Sequence, residues 1–319
     1  MTEPDLNQLP AAFLKRLELL LDPPARAAWQ RAAARLPMSV RWTGPPGQES
    51  RGADYLKEHG FDPHPIGWAP DAWTLPGAAR RSVTGLDWVR SQQLFVQSAS
   101  SMAAVQALGV QPGHDVLDLC AAPGAKTSLI HRRQEGRGIL VANELSRARS
   151  RRLHALLSRL DITGVEILVG GGEHLGRSHA RCFDRVLADV PCSGEGRFHL
   201  SDQATWSNWS ESSIRGLSRR QTALLQSACH ACRPGGEVLY ATCTMAPEEN
   251  EQVIDRVLSK ADPHVELLPV DMDIPGRRPG LQSWGGVEFS NDLSHAVRIQ
   301  ANEIMTPFFM ARLRKVGSV

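Results

Sequence analysis

The spacing of apolar residues along the chain changes character near residue 86. Before it, Leu14, Leu17 and Leu21 fall at helical spacing and Pro23-Pro24 separates two segments, so residues 5–36 read as amphipathic helices. Residues 42–90 carry Pro45-Pro46-Gly47, Pro63, Pro65, Pro70 and Pro76 together with Trp42, Trp68, Trp73 and Trp88, which predicts a small loop-rich subdomain with short strands at most. From about residue 86, short apolar runs alternate with helical patterns, the signature of a doubly wound α/β sheet. Strands are expected at 115–120, 138–143, 164–169, 184–189, 236–241 and 307–313, and helices at 98–108, 125–134, 146–160, 212–232 and 247–259. The predicted fold is thus α/β, a Rossmann-like sheet over residues 86–319 behind a small α+β N-terminal domain over residues 1–85. No internal repeat or low-complexity segment interrupts it. In such sheets a ligand sits beyond the carboxyl ends of the strands near the switch point, so residues that immediately follow strands carry the interest.

Composition narrows this little. With 42% apolar and 22% charged residues in 319, the chain is an ordinary globular sequence with a sizeable core, of one or two domains. It has no run of about 18 apolar residues, and the acidic start Met1-Thr2-Glu3-Pro4-Asp5 lacks the basic and apolar regions of a secretory signal. A cytoplasmic protein is expected, and its six cysteines read as free thiols rather than a disulfide framework. The net charge of +2 is too balanced to announce a nucleic-acid binder. Local basic clusters (Arg147, Arg149, Arg151 and Arg152; Arg215, Arg219 and Arg220; Arg312, Arg314 and Lys315) fit solvated faces and phosphate contact equally well.

Val116-Leu117-Asp118-Leu119-Cys120-Ala121-Ala122-Pro123-Gly124-Ala125-Lys126-Thr127 is an apolar strand running through a small-residue turn into a helix. Small residues let backbone N–H groups approach a ligand, and a helix N-terminus favours a carboxylate or phosphate. The spacing is neither that of a Walker loop nor G-x-G-x-x-G, which weakens nucleoside triphosphate and dinucleotide readings. An ordinary tight βα turn stays open. One strand later, Ile139-Leu140-Val141-Ala142-Asn143-Glu144 ends on a carboxylate about 20 residues beyond the loop, where it can hold the ribose hydroxyls of a bound nucleoside or merely neighbour a helix cap.

Two further strands end in cysteines. Leu187-Ala188-Asp189-Val190-Pro191-Cys192-Ser193-Gly194-Glu195-Gly196 places Asp189 and Cys192 after one, and Leu239-Tyr240-Ala241-Thr242-Cys243-Thr244-Met245-Ala246-Pro247-Glu248-Glu249-Asn250 places Cys243 after the next. Adjacent parallel strands would bring both thiols into one cleft. Cytosine carbon 5 is a poor nucleophile. A thiolate adding at carbon 6 makes the ring an enamine, a proton on or hydrogen bond to N3 spreads the developing charge, and a general base must later remove the carbon 5 proton. Two thiols and one acid match that chemistry. Buried structural cysteine is the commonest alternative. Zinc would need four ligands in paired spacings, and Cys229-His230-Ala231-Cys232 is one isolated C-x-x-C inside a predicted helix.

In series, A-A-P-G-A-K-T, D-V-P-C-S-G-E-G and A-T-C-T-x-x-P-E-E-N-E resemble the Fmu/Sun family of RNA (cytosine-5) methyltransferases. Leu94-Phe95-Val96-Gln97-Ser98-Ala99-Ser100-Ser101-Met102 and Asn208-Trp209-Ser210 extend the resemblance, which covers nearly the whole chain from about residue 8 and is nearest to the YebU-like enzymes of bacterial 16S ribosomal RNA. It implies S-adenosylmethionine as donor, bound by Ala121, Ala122, Pro123, Gly124, Ala125, Lys126 and Glu144. It makes Cys243 the nucleophile and Cys192 the residue that assists product release, whereas related DNA enzymes use the P-C cysteine as nucleophile. Asp189 would contact the cytosine and the methionine side of the donor, with Lys126 in the same charge network. The implied partner is RNA, with neither metal nor membrane, and the implied state a monomer. The target base must be unpaired or flipped to reach Cys243.

Several positions depart from that pattern. The family's acidic cofactor contact after the third strand is replaced by Gly170-Gly171-Gly172, with Glu173 the candidate substitute; Asp-Gly before Phe-Phe becomes Thr306-Pro307, and Arg-x-x-Pro becomes Arg298-Ile299-Gln300-Ala301. YebU-like enzymes carry a further RNA-binding domain, and the chain stops at Val319, so recognition is expected to differ or to use the assembled ribosomal particle. Transfer RNA as substrate, and a non-catalytic RNA-binding assembly factor that keeps the fold, are the competing readings.

Overall fold

A computed structural model describes residues 6–317; the acidic start Met1–Asp5 and the last two residues lie outside the described residues. The N-terminal part opens with α1 (Ala11–Leu20) and α2 (Pro23–Ala34). Asp22 separates them because its side chain accepts from the Ala25 N–H at 2.9 Å while Pro23 and Pro24 occupy the first helical positions, which have no use for an N–H. Next come β1 (Met38–Trp42), α3 (Ser50–Glu58), β2 (His64–Ile66), β3 (Ala69–Leu75), α4 (Arg80–Thr84), α5 (Asp87–Arg90) and β4 (Leu94–Val96). These strands form an antiparallel sheet in the order β2-β3-β1-β4.

This sheet is more regular than the proline-rich sequence suggests, since β3 runs for seven residues. The prolines fall where a missing N–H is tolerated: Pro65 in the edge strand β2, Pro70 near the start of β3, and Pro45, Pro46 and Pro76 outside the strands. The tryptophans make the core, with Trp42 and Trp73 buried among Val40, Leu56, Leu75 and Leu94. Strand β4, which lies past residue 86, closes one edge of this sheet through Val40, Arg41 and Trp42.

The larger part contains α6 (Ala99–Leu108), β5 (Val116–Asp118), α7 (Ala125–Gln134), β6 (Leu140–Glu144), α8 (Arg147–Arg159), β7 (Val165–Val169), α9 (Leu175–Ser178), β8 (Phe183–Asp189), α10 (Glu211–Ala231), β9 (Cys232–Thr242) and α11 (Glu251–Leu258). It continues with β10 (Val265–Leu268), β11 (Arg277–Pro279), the small hairpin β12 (Ser283–Trp284) and β13 (Val287–Glu288), β14 (Val297–Ile299) and β15 (Phe308–Lys315). The main sheet has the order β11-β14-β15-β9-β8-β5-β6-β7, with β10 against β15. Strands β7, β6, β5, β8 and β9 are parallel and β15 is antiparallel to β9.

All six predicted strands of this sheet are present, and the strand order reverses between β5 and β8, which puts the crevice at their carboxyl ends. Alternate residues supply opposite faces. Val116, Leu187 and Leu239 pack with α6 and α7, whereas Leu117, Val186, Val238 and Tyr240 pack with α10 and α11. Burial on both sides explains why these strands read as continuous apolar runs. The short strands β10 to β14 have no counterpart in the predicted elements, because runs of two to four residues are too brief to show a period.

Candidate active site

The turn after β5 is built for close backbone approach. Its chain must double back from strand to helix, and Gly124 does so at φ 110°, a conformation that a residue with a Cβ adopts only under strain, with its Cβ position 2.8 Å from the Leu153 side chain of α8. Helix α7 therefore begins directly behind the bare backbone of Ala121 and Ala122. Asp118, the last residue of β5, is buried; one of its oxygens accepts from Thr127 Oγ1 at 2.7 Å and the other has no hydrogen-bond partner. Burial pushes its pKa up to about 7 in spite of that bond and the nearby Lys126 charge.

Strands β8 and β9 deliver the two thiols. Asp189 ends β8 beside Ala241 of β9, and the chain then turns through Cys192, while Cys243 follows β9 directly. The sulfur atoms lie 3.3 Å apart. The Cys192 thiol, donating to the Cys243 sulfur, holds Cys243 below the ordinary thiol range; Arg197 and Lys126 act the same way, against burial and Asp189. The same contact, together with burial, pushes Cys192 well up. Across the cleft, Lys126 Nζ lies 2.6 Å from Asp189 Oδ2 and donates to Ser101 Oγ at 3.1 Å. Burial opposes the lysine charge, but Asp189 outweighs it and keeps the ammonium above its usual pKa.

Two buried glutamates fix the cysteine loops to each other. Glu195, three residues after Cys192, accepts from Trp209 Nε1 at 2.9 Å and from Thr244 Oγ1 and Met245 N at 3.0 Å, which ties the first loop to the second. Glu249 reaches the other way, accepting from Ser193 N at 2.9 Å and Gln221 Nε2 at 2.7 Å. Ser193 Oγ and Thr244 Oγ1 lie 2.8 Å apart, and Gly196 N donates to Cys243 O at 2.9 Å. Neither glutamate is assigned a role by sequence, although both flank a cysteine in a quoted motif; their acidity beside otherwise apolar strand ends is the available signal.

A cleft of about 560 Å³ collects these features. Ala121, Ala122, Pro123, Ala125 and Lys126 line one part of it, and Asp189, Cys192 and Cys243 line another. Cys120 also faces it, with its pKa raised by burial. Two of the predicted cofactor residues sit behind this wall. Gly124 points into α8, and Glu144 is buried beneath Arg149, whose guanidinium lies 3.1 Å from its carboxylate and donates to Ala122 O at 2.7 Å. Glu173, the candidate substitute after the third strand, is held at 2.7 Å by Arg220 and is not part of the cleft wall. Cys229 and Cys232 are buried at the junction of α10 and β9, where Lys315 Nζ binds the backbone carbonyls of His230 and Cys232. Among the described residues no group of three or more His, Cys, Asp or Glu could hold a metal, and no helix is long and apolar enough to cross a membrane.

Sheet order, small-residue loop and thiol pair together define a Rossmann-like methyltransferase fold with a two-cysteine cleft. Residues 105–314 match the family described as 16S rRNA methyltransferase RsmB/F, and the chain belongs to that family. It is 38% identical over 252 residues to the ribosomal RNA small subunit methyltransferase F of Erwinia tasmaniensis, covering 78% of this chain and 49% of the relative. To the protein of that name from Escherichia coli it is 34% identical over 282 residues, covering 84% and 55%. The chain spans about half the length of the curated relatives it matches. Among solved structures, a methyltransferase homologue from Pyrococcus horikoshii superposes with a TM-score of 0.79 at 28% identity, over 97% of this chain and all of the other. NSun6 from the same organism, solved with SFG, shares the fold at a TM-score of 0.81 and 18% identity, over 98% of this chain and all of the other.

Proposed function

We propose that the protein methylates carbon 5 of a cytosine in RNA, with S-adenosylmethionine as donor and 16S ribosomal RNA as the substrate. The observation that carries this reading is the pair of sulfurs 3.3 Å apart on the wall of a cleft that also holds the small-residue loop. The cleft suits the donor: its loop offers bare backbone, and the unpartnered, buried oxygen of Asp118 is an acceptor in want of a donor group. Ala121, Ala122, Pro123, Ala125 and Lys126 would hold it from the wall, with Gly124 shaping the turn and Glu144 available to ribose hydroxyls once Arg149 moves aside. The donor supplies an electrophilic methyl group.

The chain's own residues do the rest. Cys243, the thiol held below its usual pKa, adds as thiolate to carbon 6 of the flipped cytosine, forming a C–S bond and making carbon 5 nucleophilic. Asp189, steadied by Lys126, would contact the ring and the methionine end of the donor, and the Lys126 ammonium offsets the negative charge that develops on the pyrimidine. After methyl transfer the carbon 5 proton leaves to a base, the electron pair re-forms the ring double bond, and the Cys243–C6 bond breaks. Cys192, adjacent and with its pKa raised, retains its proton at neutral pH and assists this release. Residues 1–85 serve as an RNA-binding domain and 86–319 as the catalytic one, acting as a cytoplasmic monomer.

The test is methyl transfer from tritiated donor to 16S rRNA transcripts and to 30S particles, with bisulfite sequencing of all stable RNA from cells lacking the protein. A lost modification in 16S rRNA supports the reading. A lost modification confined to transfer RNA moves the substrate, and a failure to bind S-adenosylmethionine by calorimetry favours an assembly factor. That last outcome has a motive in the structure, since the end of β7 offers the cleft no carboxylate.

A further inference from the structure

We propose that Arg80 and Arg197 grip the sugar–phosphate backbone of the target RNA where its cytidine enters the cleft. This rests on the methyltransferase reading above. The cleft wall carries four cations, Arg80, Lys126, Arg149 and Arg197. Two are committed to carboxylates: Lys126 to Asp189 at 2.6 Å and Arg149 to Glu144 at 3.1 Å. Arg80 and Arg197 are exposed and in no salt bridge among the described residues. Arg80 makes one long bond to the Pro37 carbonyl at 3.4 Å, which leaves most of its donors free.

Isolated solvated arginines are common on any surface, and their position separates these two from that background. They reach one cleft from distant parts of the chain, Arg80 at the start of α4 in the N-terminal part and Arg197 in the turn Glu195–Arg197 beyond Cys192. The Arg197 turn is tied down by hydrogen bonds on both sides. Its backbone N–H donates to Gly194 O at 2.7 Å, and Glu195 is anchored on Trp209, Thr244 and Met245. Arg197 directly follows Gly196, whose N–H donates to the Cys243 carbonyl at 2.9 Å, so it stands beside the Cys243 loop, on the target-base side of the cleft.

A nucleotide drawn out of its stack brings its flanking phosphates to the mouth of the pocket that receives the base. Uncommitted guanidinium groups at that mouth present a planar fork of donors that matches a phosphate in charge and geometry. Such contacts fix the register of the strand and are read through phosphate, not base identity. Arg80 and Arg197 are therefore positioning residues. Their assignment also draws the N-terminal part into substrate binding through a named side chain.

The experiment uses the full chain with Arg80→Ala, Arg197→Ala, the double variant and Arg80→Lys/Arg197→Lys, plus Arg159→Ala as an exposed control at the end of α8. Binding of a fluorescent cytidine-containing 12-nucleotide single strand is titrated from 50 to 300 mM KCl, alongside KM and kcat on 16S rRNA transcripts. Each alanine should weaken RNA binding and raise KM by about tenfold, leave the donor affinity and melting temperature unchanged, and lower the slope of log affinity against log salt by about one. The lysine double variant should recover the salt slope but only part of the affinity. Arg159→Ala should change neither. An unchanged RNA affinity and salt slope in the double alanine variant overturns the proposal. Absence of methyl transfer by the wild-type protein, with these binding effects intact, overturns the activity reading and leaves the grip standing.

Discussion

Cys192 and Cys243 lie 51 positions apart in the chain, and their sulfurs meet at 3.3 Å because β8 and β9 are neighbours in the parallel sheet. The contact is asymmetric. Cys243 is depressed and Cys192 raised, the pattern of a Cys192 thiol hydrogen-bonded to a Cys243 thiolate, so the two positions are suited to different steps. That asymmetry gives the roles a direct test. Cys243→Ala should lower methyl transfer by about three orders of magnitude or more and form no adduct. Cys192→Ala should still attack and then stall, accumulating protein linked to RNA that survives a denaturing gel. A stalled adduct in the Cys243 variant instead would reverse the assignment.

The same contact predicts a shift in thiol reactivity without any RNA present. Removing the Cys192 donor deprives the Cys243 thiolate of its hydrogen bond and raises its pKa, so less of it is ionised at neutral pH. Alkylation of Cys243 by iodoacetamide at pH 7 should therefore slow by roughly two- to tenfold in Cys192→Ala, with the pH–rate curve displaced to higher pH. Peptide mapping by mass spectrometry separates Cys243 from the other thiols, and an equal or faster rate would show that Cys192 is not the donor.

Glu249 links stability to pH. Burial raises its pKa to about 7, against the bonds from Ser193 and Gln221. An unfolded glutamate titrates near 4.5. Between those values the native state keeps a proton the unfolded chain has lost, so this group's contribution is complete below about pH 4.5 and declines as pH rises to about 7. Both bonds end on one carboxylate oxygen while the other has no partner, so a glutamine can keep them through its carbonyl. The melting temperature of Glu249→Gln relative to the wild type should climb from pH 4.5 to 7 and level off above it. Thermal scans across that range decide, and a difference that does not rise with pH would mean the carboxylate is already ionised in the fold.

The parallel sheet was readable from sequence because buried strands are written as local apolar runs, and Val116–Leu119 or Val186–Ala188 announce themselves without their neighbours. The meeting of Cys192 and Cys243 followed from the order of those strands. Other features depend on contacts distant in sequence and left no local trace. The salt bridge between Arg149 and Glu144 is set by how the first turn of α8 sits over β6, and a strand-terminal carboxylate reads the same whether free or covered. Glu195 and Glu249 look like surface residues until the loops fold onto each other and bury them. The N-terminal sheet was concealed for a different reason: its prolines lie at edges and turns, where they do not disturb pairing but do erase the alternating pattern.

Gly196 offers a steric test of how closely the cysteine loops must meet. A Cβ there would fall 2.3 Å from the Pro307 carbonyl oxygen and 3.0 Å from that of Cys243, both backbone atoms that cannot rotate away. Gly196→Ala must therefore push the Cys192 loop off the residues preceding β15 and stretch the Gly196 N–H bond to Cys243. Overpacking of this kind costs about 1–3 kcal/mol, or several degrees in melting temperature for a chain of this size. The loss of kcat should exceed what the fraction folded explains, because the displaced loop carries Cys192 and Arg197. Gly216, exposed on α10 with open space at its Cβ, is the matched control, and its alanine variant should gain about 0.5–1 kcal/mol through helix propensity alone. Melting curves and single-turnover rates on both variants distinguish a local steric requirement from a general intolerance of alanine. Wild-type kinetics in Gly196→Ala would show that the thiols do not need the close approach seen between these loops.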